Sequence, residues 1–485
     1  MTRPTRSPWR ALWLALVLLP ALAFAQPYSD ALKARRPAGG EWFGLYLMNQ
    51  KIGYVFSDLT FVVGSKDKLV ATNQLVFKAN VGNRVAQRNH KELRVYEAKP
   101  NGRLLSFHIE DHGDGGDQVM DGTCTPQGMT VVRKRPHLPD EVLHRPPSRE
   151  TVEDADQVRV ALLRGKTVQG QTTDGSDLES YGLSTTVGPT EERLLGGVKV
   201  RLQQAVSISQ REKVPTTAFV TQSGETVEID FGKMMQARAE PKEVAQKLDQ
   251  VEVFGLTRVV LPKAPPDGVR RIPGKLKLVV TGLEARFQKE SYRQKFQPLD
   301  GARVAVTLLG TPPDAKKLVS LPISDPALSD YLKATLAVES NDPKLRATAK
   351  RIVGKEKRAY EAAKKIVAWV GDHMESDYGV SADRATDVLR QMKGDCTEHA
   401  LLSEALLRAA GIPARRVDGL IYVMNSDGVP ALYWHEWVEA YVGEWTQMDP
   451  TFREPVADAT HFAVGEEGNA EITPLIGTLK VLEVR

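Results

Sequence analysis

Sulfur is scarce in this sequence. Cys124 and Cys396 are the only cysteines in 485 residues, so at most one disulfide can form, and a bridge between these two would remove both thiols from any chemistry. Long apolar runs are equally scarce. After residue 25 no stretch is long and uncharged enough to supply the roughly 20 residues that a membrane-spanning helix needs. Charge of one sign is lacking too: 65 Lys and Arg stand against 61 Asp and Glu, a balance that gives no reason to expect nucleic acid as a partner. With 41% hydrophobic and 26% charged residues, neither disorder nor a fibrous repeat is indicated, and a soluble globular protein is.

The first 25 residues break from that average. Arg3, Arg6 and Arg10 precede an apolar run over 11–24, and Ala23-Phe24-Ala25 places small residues at the two positions that direct cleavage. This predicts a secretory signal peptide, residues 1–25, cut before Gln26. The run is too short to span a bilayer, and no cysteine follows the cut, so lipid anchoring is not indicated. The expected mature protein is periplasmic or secreted. Loss of the three arginines takes its formal balance from 65 minus 61 to 62 minus 61.

A chain of this length exceeds one compact core, which implies a multidomain protein. Over 26–240, alternating runs such as Trp42-Phe43-Gly44-Leu45-Tyr46-Leu47 and turns such as Lys99-Pro100-Asn101-Gly102 predict a β-rich antiparallel N-terminal domain. A sandwich and a curled sheet both fit. Leu261-Pro262-Lys263-Ala264-Pro265-Pro266 marks a boundary within 241–325, read as a second β segment or small β-sandwich with linkers. Beyond 326 the apolar spacing lengthens: Tyr360, Ala363, Val367, Val370 and Met374 share one helical face, and another helix is predicted over 382–392. A domain of helices and strands is expected over 326–465, then a C-terminal tail, 466–485.

Chemistry concentrates in that third region. In Gly394-Asp395-Cys396-Thr397-Glu398-His399-Ala400 a cysteine opens a helix that should stop at Gly411, with Pro413 barring continuation. A helix N-terminus favours thiolate over thiol, and the Cys396 amide is placed to donate to an oxyanion. Gly394 leaves room for a substrate backbone. His435 lies in the alternating run Tyr433-Trp434-His435-Glu436-Trp437-Val438, which predicts a strand. Gly443-Glu444 then turns the chain toward Asp449, a carboxylate able to fix the imidazole tautomer. The geometry carries a condition. A two-residue loop puts Asp449 opposite Val438, on the wrong face for His435, whereas a three-residue loop puts it opposite Trp437 and on the same face.

Competing readings attach to several residues. A buried structural cysteine is the lesser rival for Cys396, whereas taken alone His435 reads as a half-buried strand histidine and Asp449-Pro450 as turn chemistry. His399, one turn after Cys396, is a rival base, although a neighbour at that spacing more often packs beneath a site. Zinc at Cys396, His399 and His435 lacks a fourth soft ligand. The acidic run from Asp111 to Asp117 does not match an EF-hand. Tyr378 is a candidate second oxyanion donor.

The ordered blocks GDCTEHA, LLRAAGIPARRVDGLIYV, WHEWVEAYVGEWTQMDPTF and DATHF, within about 345–465, resemble the bacterial transglutaminase-like superfamily. The resemblance implies a papain-like α+β core with Cys396 as nucleophile, His435 as base and Asp449 as its orienting carboxylate. It also implies a thioester acyl-enzyme formed on protein or peptide amides, with transfer to an amine or deamidation by water, and no cofactor. A protein glutamine or a peptidoglycan stem peptide is the donor suggested by family and expected location. A cell-envelope cysteine peptidase, or a non-catalytic envelope assembly protein keeping the fold, are the alternatives.

Overall fold

The computed structural model describes residues 28–485 apart from 82–83, 114–116, 176–177, 196, 212–214, 233–234, 249–250, 252, 266–273, 378–381, 425–426 and 467–474. The signal peptide expected at 1–25 and Tyr378 lie outside the described residues.

The N-terminal region forms one 14-stranded antiparallel sheet. Two meanders meet at a seam. One runs outward from Glu41–Leu47 to Glu141–Arg145, the other inward from Val168–Thr173 to Met235–Ala239, and the seam pairs Phe43 with Ala239 and Leu47 with Met235. Alternating side chains allow long registers, as where Lys68–Val81 pairs with Arg84–Glu97 along its whole length. A sheet this wide accumulates twist and curls. Accordingly Met129 and Val131 from one meander share a buried cluster with Val168 and Leu178 from the other, around Val160 and Ala161 of the helix Gln157–Arg164. Of the two architectures open to the sequence, the curled sheet is the one found. Cys124 belongs to that cluster, and both cysteines are free.

The C-terminal region sets the helices Pro343–Val353, Ala359–His373, Ala385–Gln391 and Cys396–Ala409 against a five-stranded sheet. That sheet holds Val259–Val260, Pro430–Tyr441, Ala414–Met424 and His461–Glu466 in order, with Trp445–Met448 paired to Pro430–Tyr441. A second sheet joins Gln294–Pro298, Arg303–Leu309, Lys275–Thr281 and Lys480–Val484. The segment read as a tail thus supplies a strand, and the stretch read as a second β segment contributes to both sheets. Leu278 and Val306 share a cluster with Leu420, Leu432 and Phe462, which fixes one sheet against the other.

The Cys396 helix is central. Leu401, Leu402, Leu406 and Leu407 are buried among Val367, Val438 and Ala440, and each buried leucine contributes about 2 kcal/mol. Arg416 joins this helix to the sheet by pairing with Glu404 at 3.1 Å and Glu436 at 3.2 Å. The N-terminal sheet is tied on through Arg135 and Asp387 at 2.7 Å and Arg384 and Glu141 at 2.6 Å. Among the described residues no helix is long and apolar enough to cross a membrane.

Candidate active site

Asp395 caps the helix that Cys396 opens. Its carboxylate accepts from the Thr397 amide and hydroxyl, each at 2.8 Å, while Glu398 reaches back to the Asp395 amide at 2.8 Å. This capping box engages the amides of residues 395, 397 and 398, so the Cys396 amide stays outside these pairs. A Cβ at Gly394 would lie 2.3 Å from the Glu398 Cβ. The room expected there for a substrate backbone is taken by the capping side chain.

His435 lies on the strand Pro430–Tyr441, and Asp449 follows Trp445–Met448. Tyr441 pairs with Trp445 and Val438 with Met448, so the loop is Val442, Gly443 and Glu444, closed by the Val442 amide on the Glu444 carbonyl at 3.2 Å. This is the three-residue length that puts Asp449 on the face of His435. His435 Nε2 and Asp449 Oδ2 stand 2.8 Å apart. The imidazole stacks on Trp437 at 5.8 Å and meets Phe452 at 5.1 Å, which leaves it 8% exposed. The other carboxylate oxygen, Oδ1, accepts the amides of Thr451 at 2.8 Å and Phe452 at 3.2 Å. One oxygen therefore holds the Asp-Pro turn while the other holds the histidine.

The thiol meets this strand at its backbone. The backbone of Glu436, the residue after His435, lies near enough to the Cys396 sulfur to draw its pKa down. Val259–Val260 pairs with the strand at Ala431 and Leu432, and Trp445–Met448 pairs from Val438 onward. Glu436 falls in the interval between them.

A second histidine, to which the sequence argument gave no role, completes the cluster. His461 Nε2 lies 2.9 Å from the same Asp449 Oδ2, and both residues are 0% exposed. Its signal was present in the block DATHF, but nothing local to that block says which carboxylate it meets. Burial opposes ionisation of Asp449, yet the charges and hydrogen bonds of His435 and His461 outweigh it and hold the carboxyl far below the usual range.

Cys396 itself is half-buried. Burial pushes its thiol well above the ordinary value, and the charge of Asp395 adds to this; the Glu436 backbone opposes, while the charges of Glu436 and Asp449 raise it further. The thiolate that the helix N-terminus favours is opposed chiefly by burial, to which the charge of the capping carboxylate adds. His399 is 1% exposed, and its Nδ1 donates to the Asp395 carbonyl at 2.6 Å. Burial lowers its pKa, so it packs under the site as a neutral ring.

Metal-compatible groupings among the described residues are His435 with Asp449 and His461, and Glu454 with Asp458 and His461. Neither includes Cys396. A metal in the first would replace both N–H···O bonds to Asp449 and take the nitrogen that orients His435. In the acidic run, Asp111 is buried and bonded to His90 at 2.9 Å, while residues 114–116 lie outside the described set.

Cys396 thus opens a helix docked against the strand that carries His435, and Asp449 holds that histidine. Residues 346–450 match the Transglutaminase-like superfamily, so the C-terminal region carries a transglutaminase-like domain. The match includes Cys396, His435 and Asp449 and stops short of His461. An uncharacterized protein of Mycobacterium leprae is 30% identical over 113 residues, 22% of this chain and 39% of that one. An uncharacterized protein of Haemophilus influenzae is 35% identical over 98 residues, 19% of this chain and 26% of that one. The chain thus spans well under half the length of these relatives. Similar solved structures include a candidate cysteine protease from Cytophaga hutchinsonii, at 18% identity and TM-score 0.28, covering 44% of this chain and 83% of that one. A beta-barrel-like protein of a domain of unknown function from Brucella abortus gives 11% and 0.32, covering 41% and 94%.

Proposed function

We propose that this chain is an exported cysteine acyl-transfer enzyme acting on carboxamide or peptide bonds. The observation that carries the reading is the committed Nε2 of His435: with that nitrogen on Asp449 at 2.8 Å, Nδ1 is left for the thiol seated beside the same strand. Nδ1 takes the Cys396 proton as sulfur attacks the carbonyl carbon, and the C–N bond then breaks as the imidazolium returns that proton to the departing nitrogen. Ammonia or an amine leaves and a thioester remains. An amine or water attacks the thioester, His435 removes its proton, and sulfur departs to recover the thiol. The free Cys396 amide is placed to donate to the oxyanion of each tetrahedral intermediate.

Substrates of this reading are protein glutamines or peptides of the cell envelope, including peptidoglycan stem peptides, met in the periplasm or outside the cell. The deciding experiment incubates the mature protein and its Cys396→Ala variant with a glutamine-containing protein and a labelled primary amine, read by mass spectrometry. Amine incorporation marks transfer, a gain of about 1 Da marks deamidation, and shortened peptides mark a peptidase. Unchanged masses with both proteins would sink the catalytic reading and favour an assembly protein.

A further inference from the structure

We propose that His461 is a positioning residue of this site: it shares one carboxylate oxygen of Asp449 with His435 and, by dividing that oxygen's negative charge between two imidazoles, sets how tightly His435 holds a proton. The idea rests on the acyl-transfer reading for its purpose, but not for its measurement.

Three observations support it. The two Nε2 atoms lie 2.8 and 2.9 Å from Asp449 Oδ2, so neither imidazole can move without altering the other's partner. The far nitrogen of His461 also meets acceptors: Asp458 Oδ1 at 3.4 Å, the Thr460 hydroxyl at 3.3 Å and Glu454 Oε2 at 3.9 Å. With acceptors on both sides, the ring carries both protons. Burial works against that charge, yet hydrogen bonds to Asp449 and Asp458 prevail and raise its pKa to about 9.

The surrounding charges are few. On the side of His461 stand Asp449, Asp458 and Glu454, with Arg293 donating to the His461 carbonyl at 3.4 Å and Trp437 edge-on at 5.1 Å. On the side of His435 stand Trp437, Phe452, the neutral His399 and the Cys396 thiol, which burial and Asp395 keep protonated. His461 is thus the cation that faces the carboxylate of the base directly. Asp449 can orient His435 without lending it the full attraction of an unneutralised buried charge. A base relieved in this way gives its proton up more readily to the departing amine, the step at which an over-stabilised imidazolium would stall.

The test replaces His461 by Gln, which offers an N–H to Asp449 without the charge. The imidazole centroids are 6.0 Å apart, and a unit charge removed at that distance under an effective dielectric of about 20 corresponds to about two pH units. His435 titration, followed by histidine-labelled NMR on the full mature chain, should move upward by about that amount, and the acid limb of kcat/KM should move with it. A purely structural His461 would lower Tm and activity at every pH and leave the His435 midpoint in place, which would overturn the proposal. Should the variant not fold, the wild-type spectrum decides: the His435 signal must shift a second time as His461 loses its proton near pH 9, and a single transition overturns the proposal. If His435 responds as stated while no amide substrate turns over, the acyl-transfer reading fails and the coupling stands.

Discussion

Tyr441 faces Trp445 across a loop of three residues, and this one pairing decides that Asp449 shares a face with His435. The period of a strand is two, so removing one loop residue carries Asp449 to the other face. Deleting Gly443 is expected to abolish acylation, by 1,000-fold or about that, in a protein that keeps its circular dichroism. Activity within tenfold of wild type would show that the pairing does not control the site.

The two oxygens of Asp449 do different work, so Asn and Ala separate them. Asp449→Asn can keep an oxygen on the Thr451 and Phe452 amides while presenting NH2 to both histidines. It should cost about 10,000-fold in single-turnover acylation with a modest fall in Tm. Asp449→Ala should lose the turn as well and melt much earlier. Asparagine and alanine variants with equal melting temperatures would remove the turn role from Oδ1.

Cys396 should alkylate as a thiol whose proton is hard to remove. Its reaction with iodoacetamide is expected to climb through a midpoint above the roughly 8.5 of free cysteine, because burial and Asp395 raise it. Site-resolved mass spectrometry is needed, since Cys124, raised to about 11 by burial, is a second thiol. A rate already level by pH 6 would indicate a standing thiolate–imidazolium pair instead.

His461 also links folding to pH. A histidine held above its ordinary 6.5, here to about 9, adds stability that is fully present below about 6.5 and lost as pH rises through about 9, worth about 3 kcal/mol. Melts from pH 6 to 10 should fall more steeply for the wild type than for His461→Gln. His90, likewise raised to about 9, contributes equally to both curves and cancels in the difference. Parallel curves would mean that His461 is neutral in the folded protein.

The helix that Cys396 opens and the pairing of His435 with Asp449 were legible because each rests on a local block that reads within a few residues. Strand character in the N-terminal region was legible for the same reason, since alternation is local. The sheet's extent was not: the seam that pairs Phe43 with Ala239 joins segments far apart in the chain, and neither carries a mark of the other. His461 was visible as a residue but not as a partner, because its meeting with Asp449 depends on strand order. The Glu436 backbone left no trace at all, since a backbone group has no residue identity to read. What opposes a thiolate at Cys396 was not legible, because burial comes from elements distant in the chain, with the charge of the Asp395 cap only adding to it.

Lys480–Val484 hydrogen-bonds to Lys275–Thr281, with roughly 200 residues of chain between them, a separation that makes the contact slow to form. During synthesis the earlier strand leaves the ribosome well before this neighbour exists, and the entire transglutaminase-like region is made in the interval. Its sheet edge stays open, able to pair with another chain, for all of that time. The protein therefore completes this framework only after its transglutaminase-like region has been made, and an affinity tag or truncation at the far end disturbs a sheet packed against the one that carries His435.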